Sequence, residues 1–131
     1  MNIKRNSLLL LFAILVLACS QDRYKQGRVI YENFCANCHM EAGQGLKGLY
    51  PPLANADFPI DHYTEIPCYI RNGMNYPIVV NGKTYENEMQ PIKELGPVEI
   101  ANVMNFMNFT WEMKQEYISP DQVKTALLKC K

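Results

Sequence analysis

Residues 35–39 read Cys-Ala-Asn-Cys-His (CANCH), two thiols and an imidazole within five positions. Such a cluster can hold zinc, exchange disulfides or anchor haem. A structural zinc takes four ligands, with a second CxxC or an HxxxH pair completing the set. Here the remaining histidine is His62, and Cys68 and Cys130 stand alone. A dithiol-exchange site places its CxxC at a helix start after a strand, whereas the residues before Cys35 repeat with helical spacing. C-x-x-C-H is also the attachment signal for haem c, with two thioether links at the porphyrin edge and the histidine held over the iron. The motif therefore predicts one covalent haem c on Cys35 and Cys38, with His39 as an iron ligand.

The N-terminus predicts export. Lys4 and Arg5 precede eleven unbroken apolar residues, Leu8 to Ala18. That run is too short to span a bilayer and suits the core of a secretion signal. It ends at Cys19 after Val16-Leu17-Ala18, which resembles the bacterial lipoprotein box, where the cysteine is diacylated and becomes the first residue. An ordinary signal peptide cleaved near Ala18 is the alternative. The expected organisation is a lipoprotein signal peptide at 1–18, lipidation at Cys19, a tether at 19–23 and a single domain over 24–131. The anchored protein would face the periplasm.

Losing the leader removes Lys4 and Arg5 and no acid, so a balanced chain becomes one with net charge −2. No basic patch offers a surface to nucleic acid. A domain of this size buries a modest core and gains from a cofactor or a cross-link. Five cysteines are an odd number for an oxidising compartment. If Cys19 takes lipid and Cys35 with Cys38 take haem, Cys68 and Cys130 remain as one disulfide pair.

Along the chain, Tyr24, Val29, Ile30, Tyr31 and Phe34 recur at helical spacing, predicting an amphipathic helix over 24–34. Residues 41–59 are rich in Gly, Pro and Ala and read as a loop with at most one short turn. A short helix is expected over 64–71, closed by Asn72-Gly73, with Pro67 in its first turn. Ile78-Val79-Val80 and Lys83-Thr84-Tyr85 flank Asn81-Gly82, a two-residue hairpin signal. After a turn region over 86–95, Gly96-Pro97 opens a long helix. Its apolar side is expected to carry Val98, Ile100 or Ala101, Val103, Met104, Met107 and Trp111. Ser119-Pro120-Asp121-Gln122 caps a last helix that runs to about residue 129. The fold class is all-α with a small β-hairpin.

Nearly the whole of residues 24–131 resembles a class I monohaem c-type cytochrome. KQGRVIYENFCANCHM, then EAGQG and LKGLYPPLA, match that family's G-x-x-x-Y/F-x-x-x-C-x-x-C-H, Gly-x-Gly and proline-leucine turn. VVNGKTYENEMQP followed by IANVMNFMNFTW matches its methionine-ligand stretch and C-terminal helix. The resemblance implies a cytochrome c-like fold, with N- and C-terminal helices crossing around the haem, and a crossing at Gly27 and Tyr31 against Val103 and Phe106. For the second axial ligand, Met40 sits too close to His39, and Met104, Met107 and Met113 lie on a helical stretch. Met89 is favoured, with Met74 and His62 as alternatives; the family's Met-Pro is here Met-Gln-Pro. The resemblance further assigns the carbonyl of Pro51, or else Pro52, to the second ring nitrogen of His39. Arg71, Tyr85, Tyr50 and Trp111 are candidates for the haem propionates, with Arg71 the best charge match.

The function so implied is electron transfer between Fe(III) and Fe(II), not an enzyme and with no small-molecule substrate. The partner would be an oxidase, reductase or dehydrogenase of the cell envelope, met through a small transient interface. A haem-based sensor or ligand-binding protein, or a cytochrome subunit of such a complex, is the alternative reading.

Overall fold

The computed structural model describes residues 23–130. The expected signal peptide, the lipidation site Cys19 and the tether up to Asp22 lie outside the described residues.

Helix α1 (Lys25–Phe34) buries Gly27 and Tyr31, one turn apart on the same face. The chain then tightens: Cys35, at φ −113, still donates its N–H to Tyr31 O, and a single turn, α2 (Ala36–His39), follows. The turn stops at Met40, whose φ is +63. Cys35 and Cys38 thus sit three positions apart, on neighbouring rungs of one short helical spiral.

The stretch expected as loop holds one further turn, α3 (Phe58–Asp61), capped by the Asp57 carboxylate with Pro59 in its first turn. The same carboxylate accepts Asn81 N–H at 2.7 Å, and Asn81 reaches back to Asn55 O at 3.0 Å. Helix α4 (Ile66–Asn72) begins two residues later than expected and ends at Gly73. Strands β1 (Ile78–Val80) and β2 (Lys83–Tyr85) pair antiparallel, Ile78 opposite Tyr85 and Val80 opposite Lys83. Asn81 (φ 50) and Gly82 (φ 74) make the turn between them, the left-handed pair that matches strand twist.

Helix α5 (Pro97–Thr110) has proline in its first turn and buries Ile100, Ala101, Val103, Met104, Asn105 and Met107. Val98, expected on the buried side, is 52% exposed; the covered face starts only at Ile100, where α5 meets its neighbours. Helix α6 (Pro120–Leu127) starts in a complete capping box, Ser119 with Gln122, and buries Val123. Between α5 and α6 the chain is held by two amides. Asn105 donates to Ile118 O and accepts from Ile118 N–H, and Asn108 does the same with Gln115. A buried asparagine with both ends of its amide satisfied costs little.

The principal helix contact is α1 across α5. A Cβ on Gly27 would fall 2.1 Å from Asn102 O and 2.6 Å from Phe106 Cβ, so only hydrogen fits there. The glycine lies closest to the Asn102 backbone and to Phe106, an expected partner, and the other expected partner, Val103, is buried in the same cluster as Tyr31. Tyr31 stacks its ring against Phe106 (5.8 Å) and edge-on to Trp111 (5.3 Å), and its hydroxyl donates to Met40 O. The main core gathers around these helices. A second small cluster, Ala56, Ile78, Val80 and Tyr85, lies under the hairpin with Phe58 and Met74 against it. Among the described residues, no helix is long and apolar enough to cross a membrane. The architecture is all-α with one two-stranded hairpin.

Candidate functional site

A largely apolar cavity of about 330 Å³ lies between the two clusters. Cys35, Cys38 and His39 form part of its wall, as do Met74 and Met89. Cys35 is half-buried and Cys38 exposed, and neither is in a disulfide. Burial first, and Cys38 beside it second, push the Cys35 thiol up to about 12. The Cys35 sulphur is therefore held as a neutral thiol.

His39 is buried, and its Nδ1 stands 2.9 Å from Pro51 O. A carbonyl can only accept, so Nδ1 carries the proton and the lone pair of the neutral ring is on Nε2. Burial lowers the imidazole's pKa below its ordinary value, with the bond to Pro51 acting in the opposite direction. A neutral ring with a fixed tautomer is the form that can ligate a metal. The approach of Pro51 depends on Gly45 (φ 67): a Cβ there would strike Tyr50 O at 2.5 Å and Pro51 O at 2.7 Å.

Met74 and Met89 are joined by an isolated antiparallel bridge, which the sequence did not reveal. Both contribute to the cavity wall. His62, the other alternative, does not: it stacks on Phe58 at 4.4 Å, stands 3.9 Å from Glu65 and leaves 43% of its side chain exposed. Tyr50 and the buried Tyr85 line the cavity, together with Pro51 and Pro52. Arg71 does not, because its guanidinium turns to Leu95 O and its Nε is buried without a partner. Trp111 is likewise taken up by Tyr31. The Sγ atoms of Cys68 and Cys130 stand 2.03 Å apart, linking α4 to the chain just after α6.

Two thiols, an imidazole with a free lone pair, a thioether and apolar walls make a donor set and a container that fit haem c. Residues 22–107 match the family described as cytochrome C oxidase, cbb3-type, subunit III. A cytochrome c-552 of Thermus thermophilus is 32% identical over 111 residues, covering 77% of this chain and 70% of that protein. Another Thermus thermophilus cytochrome c-552 is 33% identical over 95 residues, covering 65% of this chain and 67% of that protein. The chain belongs to the c-type cytochromes.

As a c-type cytochrome it binds haem c covalently and works as a haem-based electron carrier with a redox partner. The family match covers α1 to most of α5 and stops at Met107. The two asparagine-held turns, α6 and Cys130 lie beyond that matched stretch.

Proposed function

We propose that this cytochrome is a monohaem, class I-type electron carrier of the cell envelope. The observation that carries the reading is that one apolar cavity brings the Cys35–Cys38–His39 turn and Met89 to a common wall. Haem c supplies a one-electron Fe(III)/Fe(II) couple. Cys35 and Cys38 hold it through thioether bonds, and His39 Nε2 ligates the iron with Pro51 O fixing the ring. Met89 supplies the second axial ligand, a soft thioether that favours the reduced ion and raises the potential. Tyr85 and Tyr50, on the wall, suit the propionates better than Arg71, whose guanidinium is engaged elsewhere.

A haem held by His39 and Met89 together would offer a substrate no open coordination site, which favours a carrier over a sensor or an enzyme. The apolar wall from Ile66, Ile70, Ile78 and Val80 excludes water and limits reorganisation on electron transfer. The organisation that goes with this reading is a signal peptide at 1–18, a lipid on Cys19, a short tether and the cytochrome domain from 24. The partner is an oxidase, reductase or dehydrogenase at the periplasmic side of a membrane. A Cys68–Cys130 disulfide suits that compartment.

The deciding experiments, on holoprotein from its native host, are a redox titration with spectra and, on a separate sample, acid-acetone extraction. Colour that stays with the chain, a low-spin spectrum and a far-red Met–iron band are expected. Extractable haem would refute covalent attachment, and a high-spin spectrum would refute the carrier reading. Cys19→Ser should move the protein from the membrane to the soluble fraction with its spectrum unchanged; a wild-type protein that is already soluble, with a free N-terminal residue, would refute the anchor.

A further inference from the structure

Gly73 closes α4 with φ 72 and ψ −174, a conformation that belongs to glycine. Its Cα is pressed on the peptide that carries Met89. A Cβ at this position would stand 2.3 Å from Met89 O and 2.9 Å from Pro91 N. Ordinary van der Waals separation begins near 3.4 Å, so the Met89 carbonyl would have to retreat by about 1 Å. Backbone hydrogen bonds tie down the same segment at both ends. Met74 N–H donates to Met89 O (2.9 Å), Met89 N–H donates to Met74 O (2.8 Å), and Ile92 N–H donates to Ile70 O (2.8 Å). Residues 89–92 are therefore sewn to the end of a helix whose Ile66 and Ile70 are buried in the main core.

The two bridged methionines point their loyalties differently. Directly paired residues of an antiparallel bridge present side chains to the same face, and both line the cavity. Yet Met89 packs against the main cluster, while Met74 packs against the hairpin cluster. Met74 thus contributes its backbone to the position of Met89 and its side chain to a different core.

We propose that Gly73 and the Met74 backbone form a clamp that sets the place of Met89 before and apart from any bond to iron. Gly73 and Met74 are positioning residues for the axial thioether, and the proposal rests on the reading of Met89 as that ligand. A ligand held in place beforehand loses little freedom on binding. A clamp that has slipped leaves the same thioether in reach but no longer poised.

The test is Gly73→Ala in the holoprotein, with Gly48→Ala as control. Gly48 has a positive φ of 80 with open space around a Cβ, so it tests a β-carbon at positive φ without the contact. Gly73→Ala should lose the far-red band at neutral pH and bind CO in the reduced form about tenfold faster, a change of about 1.4 kcal/mol. Gly48→Ala should keep both wild-type properties. Loss in both variants would assign the effect to strain and overturn the clamp. A wild-type band and CO rate in Gly73→Ala, where Met89→Ala has lost the band, would overturn it as well. If Met89→Ala keeps the band, the axial reading falls and takes the clamp with it. Should Gly73→Ala fail to accumulate, amide exchange in Met89→Ala decides. Slow exchange at positions 74 and 89 supports a clamp that stands without the thioether, and exchange as fast as at Glu88 overturns it.

Discussion

Replacing Gly27 by alanine adds one methyl group at the closest approach of α1 and α5. On a free helix that change favours folding by about 1 kcal/mol. Here the new carbon would meet Asn102 O at 2.1 Å and Phe106 Cβ at 2.6 Å. One is a backbone atom and the other the first carbon of a side chain, so neither can swing away and the helices must part. Overpacking costs typically about 1–3 kcal/mol, and rigid obstacles on both sides place this site at the upper end. Separation would also loosen the Tyr31–Phe106 stack. The net expectation is a loss of about 1–2 kcal/mol and a fall in Tm of about 5–10 °C for a domain of this size. Guanidinium and thermal unfolding of the holoprotein, followed by far-UV circular dichroism, measure it. The far-red band should persist in the native state, since Gly27, Asn102 and Phe106 lie off the cavity wall. A variant as stable as wild type would mean that the two helices do not approach this closely.

Met89→Ala should abolish the far-red band, lower the potential and admit CO to the reduced form, whereas Met74→Leu and His62→Ala should leave the spectrum intact; the reverse pattern of effects would shift the ligand to Met74 or His62. Cys68→Ser with Cys130→Ser opens a loop spanning 62 positions, for which chain entropy gives a loss of about 4 kcal/mol before strain is counted; two alkylatable thiols in untreated wild type would remove the basis of that figure. Burial raises Tyr63 and Tyr69 to about 12 and Tyr31 further still. A raised phenol favours the fold while neutral, so this contribution is complete below about pH 10 and is lost as pH climbs through the folded values. Tyr63→Phe, which removes a buried hydroxyl that has no hydrogen-bond partner, should keep full stability at neutral pH and flatten that alkaline decline; an unchanged slope in urea titrations at high pH would count against it.

What could be read from the chain alone was written in local signals. Asn81-Gly82 demands left-handed backbone, Ser119 with Gln122 closes a capping box, Pro97 opens a helix and CANCH names its own chemistry. Each depends on residues a few positions apart. Asp57 and Pro59 are a comparable local signal for α3, at the end of a stretch whose glycines and prolines leave room for no more than a short turn. The remainder depended on distant partners. Nothing near Met74 announces Met89, and nothing near Arg71 announces Leu95 O. Its charge suggests a propionate, but a guanidinium also satisfies a backbone carbonyl of a loop. Nothing beside Asn105 and Asn108 announces that the chain beyond α5 returns to use their amides. Val98 failed for a geometric reason, since the period of a helix says which residues share a face but not where its neighbour begins.

The cavity wall draws on two hydrophobic clusters that have no buried residue in common. The larger is built around α1, α4, α5 and α6. The smaller has four buried residues and a hairpin with three residues in each arm, too little to stand by itself in water. The consequence is an uneven dependence on whatever fills the space between them. A group bound in the cavity would give the smaller cluster the apolar partner it lacks, whereas the larger already packs helix against helix. Loss of that group should therefore be felt first as faster amide exchange across residues 78–85, and last at the crossing of α1 and α5.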